Sequence, residues 1–314
     1  MGLRPLLVVN PRSGGGRTGK TFGSIRPAIE SALGPVDVEL TERPGHGIEL
    51  ASAGVLAGHP LVVAVGGDGT FNEVCNGVMA AGEAGRETRV GLIAQGTGGD
   101  FRRTLGIDHR LEHYLEALSS GRERKMDVGR FRYRAHDGGR RERYFVNILS
   151  AGMGGLVDQY VARAPAAVGG KAAYFLASLG ALASCRVGRL RCQTTRSGKT
   201  EDRRIATYLI AICNGRYFGS GMKVAPMAAP DDGAFEVVSL GAPSKVAFAL
   251  SSRKIYSGAH LGDPGVEHFA CDRIDLDLEN EEAREVFLLD VDGEPLGGLP
   301  VSIELVPGAL TLRA

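Results

Sequence analysis

The sequence predicts two domains, an α/β domain with a parallel sheet followed by a domain of antiparallel strands. Apolar runs alternate with helically spaced segments over the first third of the chain, and short strand-like runs dominate after about Asp127. Glycine-rich loops also follow several of the early apolar runs. The length of 314 residues suits two domains, because domains usually contain about 100–200 residues. We predict domains at 1–130 and 131–314.

The first domain is predicted from four apolar runs, each followed by a segment with helical spacing. In the first helix apolar residues recur at Phe22, Ile25, Ile29 and Leu33, and Gly34-Pro35 ends it. Such a βα alternation predicts a parallel sheet, and ligands bind these sheets at the carboxyl ends of the strands. The predicted strands are Leu6–Val9, Val36–Leu40, Leu61–Val65 and Val90–Ala94, and the predicted helices are Lys20–Leu33, Ile48–Leu56, Phe71–Ala80, a segment from about Asp100, and Leu111–Leu118.

The second domain is predicted from short strand-like runs separated by Gly and Pro turns, a pattern typical of an antiparallel sandwich or barrel. An apolar segment with near-helical spacing, Gly170–Cys185, interrupts them and is interpreted as core packing or as an interfacial flap. We expect the extreme C-terminus to pack back on the first domain. The predicted strands are Val128–Arg134, Arg143–Ser150, Arg189–Thr195, Ile205–Asn214, Ala234–Leu240, Arg273–Leu278, Glu285–Val291 and Val301–Val306.

The composition excludes several classes of protein. Apolar residues make up 43% and charged residues 23%, which is ordinary for a globular chain. A net charge of +1 argues against a dedicated nucleic-acid binder, so we expect no nucleic-acid partner. The five cysteines contain no C-x-x-C pair, which argues against a disulfide framework and favours a reducing compartment. The longest uncharged apolar stretch, Ala172–Cys185, is too short to span a bilayer, so we expect a cytoplasmic protein, or one peripheral at the inner membrane face.

The first glycine loop, Asn10 to Thr21, directly follows a strand and predicts a phosphate site. It contains a literal G-x-x-x-x-G-K-T match from Gly14 to Thr21, the P-loop pattern. However, no apolar strand ends in the acidic residue that would hold magnesium beside a P-loop. A phosphate-contacting loop of another type is therefore favoured over a P-loop, because strand, glycines and helix N-terminus together attract anions.

The second and third loops, Gly66–Thr70 and Gln95–Gly99, also follow predicted strands. A carboxylate inside a phosphate loop would repel its ligand unless a cation lies between them, so Asp68 suggests Mg²⁺; the alternative is a helix N-cap. In the third loop, Thr97 could donate to a phosphate or ribose oxygen. Asp100 is interpreted equally as a helix cap or a ligand-binding residue.

These motifs resemble the diacylglycerol kinase catalytic family, which includes soluble bacterial diacylglycerol kinases and the sphingosine and ceramide kinases. The resemblance rests on N-P-x-S-G in the first loop, G-G-D-G-T-x-N-E-V in the second and G-T-x-x-D-F in the third. It continues through N-I-L-S-A-G-M-G-G at 147–155 and Asp231-Asp232-Gly233 to Asp292-Gly293-Glu294. NAD kinases share the G-G-D-G-T loop, so that motif alone does not separate the two groups.

The resemblance implies an ATP-dependent lipid kinase with a phosphofructokinase- or NAD-kinase-like α/β domain and a β-sandwich lipid-substrate domain, with ATP in the cleft between them. Asp232 matches a magnesium ligand, completed by backbone carbonyls near Ala229 and Ala234. Glu294 matches the proton acceptor of bacterial members, whereas sphingosine-kinase-like members use the position of Asp68, so Glu294, Asp292 and Asp68 stay competing candidates. The implied nucleotide contacts are Asn10, Pro11, Arg12, Ser13, Gly14, Thr41, Gly66, Gly67, Asp68, Gly69, Thr70, Phe71, Asn72, Glu73 and Thr97.

One position departs from the family pattern. Most members carry Asn where this chain has Gly99, which puts nucleotide affinity or loop geometry in doubt. Two alternatives to the lipid kinase stay open, an NAD kinase and a catalytically inactive nucleotide- or lipid-binding relative. The expected partners are a lipid substrate and, transiently, a membrane surface. Arg140, Arg141 and Arg143, beside Gly138-Gly139, suggest an exposed hairpin tip that is either solvated or in contact with anionic lipid. The lipid acceptor is not identified, and a homodimer is left open.

Overall fold

The computed structural model describes residues 3–96, 98–135, 137–163, 177 and 180–314. Among them, the chain divides into two compact units. The first contains the residues up to Val128 together with Pro230–Asp232 and Val306–Ala314. The second contains Gly129–Ala229 and Gly233–Leu305.

The first unit is built on a parallel sheet whose strands lie in the order β2-β1-β3-β4. β1 and β3 are buried along their whole length, as expected for the central strands of a parallel sheet. The last residues of the chain extend this sheet, because Thr311 and Leu312 pair in parallel with Arg89 and Val90 of β4. The elements are β1 Leu6–Val9, α1 Arg17–Leu33, β2 Asp37–Leu40, α2 His46–Ala57, β3 Leu61–Gly66, α3 Asp68–Ala80, α4 Glu83–Glu87, β4 Arg89–Ala94, α5 Asp100–Leu105 and α6 Leu111–Ser119.

The second unit is antiparallel. One run of neighbouring strands follows the order β12-β11-β10-β7-β14-β15, and β5 and β13 also pair with β15. The strands are β5 Glu123–Arg134, β6 Arg140–Phe145, β7 Ile148–Gly152, β8 Gly188–Arg196, β9 Lys199–Thr207, β10 Leu209–Cys213, β11 Phe235–Leu240, β12 Val266–Cys271, β13 Arg273–Leu278, β14 Leu288–Val291 and β15 Glu294–Arg313. Two α-helices, α7 Met153–Arg163 and α8 Lys245–Ser251, lie between strands in the described sequence. The predicted α/β domain and antiparallel sandwich are confirmed.

β10 shows how the second unit is layered. Its side chains alternate, as in any strand, between the two faces of the sheet. Ile210 and Ile212 pack into one apolar cluster, which includes Phe145 stacked on Phe235 with ring centroids 5.4 Å apart. Leu209, Ala211 and Cys213 pack into a second cluster that includes Phe248 of α8. The sheet around β10 is therefore buried on both faces.

Two strands predicted as continuous are each divided in the structure, so these predictions were wrong. The run Arg143–Ser150 splits into β6 and β7 because an acidic side chain, Asp292, accepts the backbone N–H groups at the break. The run Ile205–Asn214 splits into β9 and β10, where the Thr207 hydroxyl donates to the Leu209 carbonyl and accepts from the Leu209 amide. Among the strands and α-helices of the described residues, α4, α7, α8 and β12 have no counterpart among the predicted elements.

Two other expectations concern membranes. The described helices include none that is long and apolar enough to cross a bilayer. The apolar segment Gly170–Cys185 lies largely outside the described residues, apart from 177 and 180–185.

His260 predicts how stability depends on pH. It is 1% exposed, its Nε2 donates to the Val224 carbonyl at 3.0 Å, and burial lowers its pKa. Because the folded pKa lies below the unfolded value of about 6.5, protonation favours the unfolded chain, so this contribution is complete above that pH and lost as the pH falls below it. We expect urea unfolding to show a smaller loss of stability in His260→Gln than in wild type as the pH falls from about 7 to about 5.5.

The exposed His113 supplies the control for this prediction. Its side chain is 42% exposed, so comparison with His113→Gln separates the loss of a buried imidazole from the loss of an imidazole as such. Equal pH dependence in His260→Gln and wild type would show that His260 does not carry the effect.

Candidate active site

The three glycine loops meet at the carboxyl ends of β1, β3 and β4. The Asn10 amide N–H donates to the Val65 carbonyl at 3.0 Å, and its side-chain Nδ2 donates to Thr70 Oγ1 at 3.1 Å. On the other side, the Gln95 N–H donates to the Gly66 carbonyl at 2.7 Å. The second loop is thus tied to both of its neighbours.

Glycine is required where the second and third loops touch. A Cβ on Gly96 would lie 2.7 Å from the Cα of Gly67, closer than side chains approach backbone atoms. The Ser13 side chain of the first loop lies beside the same point, with its Oγ 3.5 Å from a Cβ placed on Gly67. The glycines therefore permit three backbone segments to pack together at the end of the sheet.

Asp68 links the second loop to the third. It is the first residue of α3, and its two carboxylate oxygens accept the backbone N–H groups of Asp100 at 3.0 Å and Phe101 at 3.1 Å. Asp68 therefore satisfies the N-terminus of α5, whereas the alternative interpretation expected it to cap its own helix. Asp100 does not cap α5 either: Gly99 occupies the cap position and the Asp100 carboxylate accepts from Arg103 Nη1 at 2.7 Å.

Glu73 has a comparable role in the loop that precedes α2. Its Oε1 accepts the N–H of Gly45 at 2.7 Å and its Oε2 accepts that of Gly47 at 2.8 Å. Phe71 is fully buried and stacks on Phe101 with centroids 5.1 Å apart. The side chains of both residues thus support the loops from inside the protein, and their contact with a nucleotide stays a prediction.

The surface beside the loops suits an anion. Gly14, Gly15 and Gly16 adopt positive φ angles immediately before α1, which begins at Arg17 without a side-chain cap. The N–H groups of Gly16, Thr18 and Gly19 donate to carbonyls of the first loop itself, which leaves those of Gly14, Gly15 and Arg17 to attract phosphate. The pKa of His109 is lowered by burial and by the nearby guanidinium groups of Arg102, Arg17 and Arg103, which reports a positive local potential. Tyr114, whose pKa burial raises to about 12, lies 2.9 Å from His109 Nδ1.

The predicted nucleotide-binding residues other than Thr97 are described, and Thr97 lies outside the described residues. Thr41 is buried and its N–H donates to the Val9 carbonyl at 2.9 Å, which places it at the end of β2 beside β1. The described residues of this prediction lie at the carboxyl edge of the sheet or in the helix that follows it. They are Asn10, Pro11, Arg12, Ser13, Gly14, Thr41, Gly66, Gly67, Asp68, Gly69, Thr70, Phe71, Asn72 and Glu73. The donor chemistry of this edge, backbone N–H groups flanked by arginines, fits a nucleoside triphosphate.

Gly99 is explained by its backbone conformation. Its φ is 60° and its ψ 44°, the left-handed region that Gly and Asn tolerate best. A Cβ there would meet Arg102 Nε at 2.8 Å, and that contact is to the far end of a flexible side chain. We therefore expect Gly99→Asn to unfold in urea within about 0.5 kcal/mol of wild type, and Gly99→Val to lose about 2 kcal/mol.

The variants Gly99→Asn and Gly99→Val also test how the third loop affects nucleotide affinity. Gly99→Asn should bind ATP at least as tightly as wild type in calorimetry, because the backbone is already shaped for Asn. Equal destabilisation by Asn and Val would contradict this explanation of Gly99.

In the second unit, Asp292-Gly293 forms the two-residue turn of a β-hairpin. Val291 pairs with Glu294, and both turn residues have positive φ, 51° and 87°. This is the type I′ geometry that the Asp-Gly pair favours. The turn fixes Glu294 as the first residue of β15.

The Asp292 carboxylate is held by backbone amides. Its Oδ2 accepts from Val146 at 2.9 Å, and its Oδ1 accepts from Asn147 at 3.1 Å and Ile148 at 2.8 Å. The residue is 8% exposed. Hydrogen bonds from several amides stabilise an ionised carboxylate and leave it a weak proton acceptor. Asp292 therefore braces the turn, and Asp292 and Glu294 both stay predicted candidates for the base.

Glu294 forms an ion pair with Arg143, its Oε2 lying 3.0 Å from Arg143 Nη1. The side chains are 29% and 21% exposed, so the pair is partly shielded from solvent. In the sequence Arg143 groups with Arg140 and Arg141 at an exposed hairpin tip, so its position beside Glu294 was not predicted. Only the hairpin register, which pairs Arg143 with Phe131 well away from the turn, reveals its position.

The predicted magnesium segment contains oxygen donors. Asp231 is bound by Arg124 through two hydrogen bonds of 2.7 Å, and the Pro230 carbonyl accepts from the Asp127 amide. Asp232 is exposed, whereas Ala234 is buried. Within the described ranges, no three His, Cys, Asp or Glu side chains are grouped to hold a metal. One carboxylate with carbonyls of Ala229 and Ala234 is a hard-oxygen donor set that fits Mg²⁺, and these ligands stay a prediction.

Comparison with known proteins matches both units. Residues 4–131 match the model of the diacylglycerol kinase catalytic domain, and residues 147–314 match that of the YegS C-terminal NAD kinase beta sandwich-like domain. A "Diacylglycerol kinase" of Bacillus subtilis (strain 168) is 28% identical over 95% of this chain and 91% of its own length. A "Probable lipid kinase YegS-like" of Chromohalobacter salexigens is 28% identical over 92% and 89%. A diacylglycerol kinase crystal structure from Bacillus anthracis has a TM-score of 0.69 at 20% identity, over 99% of this chain and 96% of its own, and supports the fold.

Proposed function

This chain belongs to the diacylglycerol kinase family of lipid kinases, and from that premise we propose that it transfers the γ-phosphate of ATP, with Mg²⁺, to the hydroxyl of diacylglycerol. The observation that carries the proposal is the meeting of three glycine loops at the carboxyl edge of the first unit's sheet. The names of the relatives support a glycerolipid acceptor. A sphingoid base is the alternative acceptor.

In this proposal the first unit binds the nucleotide. The N–H groups of Gly14, Gly15 and Arg17 bind phosphate oxygens, and the guanidinium groups of Arg17 and Arg102 add positive charge. Asp68 acts as a positioning residue, because its carboxylate holds the third loop against the second. When bound, Mg²⁺ neutralises charge on the triphosphate, and Asp232 with the carbonyls of Ala229 and Ala234 would hold the metal.

Glu294 is proposed as the proton acceptor for the lipid hydroxyl. A hydroxyl is a poor nucleophile near neutral pH, and a carboxylate that takes its proton during attack accelerates transfer. Arg143 orients the Glu294 carboxylate, and the Asp292-Gly293 turn holds Glu294 at the start of its strand. No covalent enzyme intermediate is needed, because the phosphoryl group moves in line between two oxygens.

A lipid acceptor requires contact with a membrane, because its acyl chains stay in the bilayer. We therefore propose transient association with a membrane surface and a peripheral location. A homodimer would be compatible with this activity and does not follow from it.

The test is a kinase assay with radiolabelled ATP and Mg²⁺ against detergent-dispersed diacylglycerol, sphingosine, ceramide and phosphatidylglycerol, with NAD as a soluble acceptor. We expect labelled phosphatidic acid to be the main product. Formation of NADP without any labelled lipid would replace the proposal with NAD kinase. Binding of ATP with no labelled product would indicate a catalytically inactive relative.

A further inference from the structure

The outer face of the second unit carries a concavity lined by arginines. It lies over the neighbouring strands β5, β15 and β13, with β6 and β8 at its two sides. Its volume is about 640 Å³, which is the size of a small-molecule site. Its lining residues in the described chain belong to the second unit, and the proposed transfer mechanism uses none of them.

The shape follows from the side chains of the middle strand. Outward positions on β15 carry the short Pro300 and Ser302, whereas the flanking strands carry Arg134 on β5 and Asp275 and Asp277 on β13. Ser302 donates to the Asp275 carboxylate, which holds the floor of the concavity. The short side chains of β15 and β13 thus lie between longer ones, such as Arg134 on β5 and Arg191 on β8, and this difference in length creates the hollow.

The charges in the concavity are unevenly compensated. Arg132 pairs with Glu142 at 2.7 Å, Asp275 pairs with Arg273 at 3.2 Å, and Asp277 lies directly across from Arg191 in the strand register. Each carboxylate on the lining therefore has an arginine neighbour. The surplus positive charge resides on the β5–β6 hairpin.

Arg134 and Arg140 form the unusual pair. They are directly opposite one another in the hairpin register, both are exposed, and in the described chain no carboxylate lies within 4 Å of either guanidinium group. Like charges directly opposite on adjacent strands destabilise a sheet. The arrangement therefore costs stability in the free protein, and an anion placed between the two guanidinium groups would remove that cost.

We propose that this arginine concavity binds the phosphate of an anionic phospholipid headgroup at a membrane surface. Guanidinium groups match phosphate oxygens in pairs, and the concavity is large enough for a headgroup. Arg140 and Arg141 lie beside the hairpin turn, at exposed positions that a bilayer surface can reach. The site binds a lipid that is not phosphorylated there, and its binding needs neither ATP nor the transfer activity.

Vesicle sedimentation without nucleotide tests the proposal. The probes are phosphatidylcholine vesicles with and without phosphatidylglycerol. Each arginine near an anionic surface contributes to the free energy of binding. The double variant Arg134→Gln/Arg140→Gln should therefore bind the anionic vesicles about thirtyfold more weakly than wild type. The matched control is Arg196→Gln/Arg204→Gln, which removes the same charge from exposed strand positions of the same unit outside the concavity. It should lose less than about threefold.

Other outcomes overturn the proposal. Equally weakened vesicle binding in both double variants would indicate diffuse attraction of a basic surface. Unchanged vesicle binding in both would show that the concavity does not contact the membrane. Thermal stabilisation of wild type, but not of Arg134→Gln/Arg140→Gln, by glycerol 3-phosphate without vesicle binding would assign the site to a soluble phosphate ester. A folding defect should not explain weaker binding, because removal of the opposed charges is expected to leave the melting temperature of the variant unchanged or raised.

Discussion

Replacing Glu294 with Gln is expected to lower kcat for lipid phosphorylation by about 10²- to 10⁴-fold. The amide cannot accept the hydroxyl proton, whereas its size and its hydrogen bond from Arg143 are nearly preserved. ATP affinity, measured by calorimetry, should stay within about twofold of wild type, because the nucleotide loops are built without Glu294. The measurement is the initial rate of labelled lipid formation at saturating ATP.

Glu304 provides a matched control on the same strand. Like Glu294 it is a β15 glutamate paired with an arginine, its Oε2 lying 2.8 Å from Arg130 Nη2, and that arginine lowers its pKa. Glu304→Gln therefore removes an equivalent ion pair and should keep kcat within about twofold of wild type. A Glu294→Gln enzyme with wild-type kcat would exclude Glu294 as the base.

Replacing Asp292 with Ala is expected to cost about 4 kcal/mol of unfolding free energy. Three backbone N–H groups lose their ionised acceptor in a buried turn, and Ala must also adopt a left-handed φ. Asp292→Asn should lose less, because Asn tolerates this φ and keeps one carbonyl acceptor. Urea unfolding measured by circular dichroism checks both variants.

Ser197→Ala separates the amide contribution from the backbone strain. Ser197-Gly198 is also a two-residue turn between paired strands, and the φ of Ser197 is 50°, against 51° for Asp292. Ala there carries the same left-handed φ without three amides losing an acceptor, and the Ser that it replaces is already strained, so this variant should lose less than about 1 kcal/mol. Equal losses at the two turns would show that the carboxylate contributes nothing beyond the strain.

Local pattern was sufficient to predict the architecture of the first unit. Strand, glycine loop and helix follow each other within short stretches such as 61–80, and burial of β3 follows from its continuous apolar run. The exact helix start was less predictable. α3 begins at Asp68 and not at Phe71, because the loop needs only Gly67 before the helix hydrogen bonds begin.

The roles of the acidic residues were harder to predict from the sequence than the architecture of the first unit. Sequence identified Asp68, Glu73, Asp292 and Glu294 as important, but their partners lie 32, 28, 146 and 151 residues away along the chain. Nothing in a local pattern shows which amide or guanidinium group a carboxylate will meet. Asp68 and Glu73 consequently look like ligand contacts in sequence, and the structure shows them bonding to loop backbone.

The sequence by itself determined the two-domain class, the three glycine loops and their position after strands, because periodicity and turn residues act over a few neighbouring positions. The tertiary structure alone decided that Asp292 braces a turn, that Arg143 meets Glu294, and that Arg134 and Arg140, which have no carboxylate within 4 Å in the described chain, lie opposite one another on the β5–β6 hairpin. These features depend on strand register, which brings together residues far apart in the chain, and a shift of one position would turn every side chain to the opposite face.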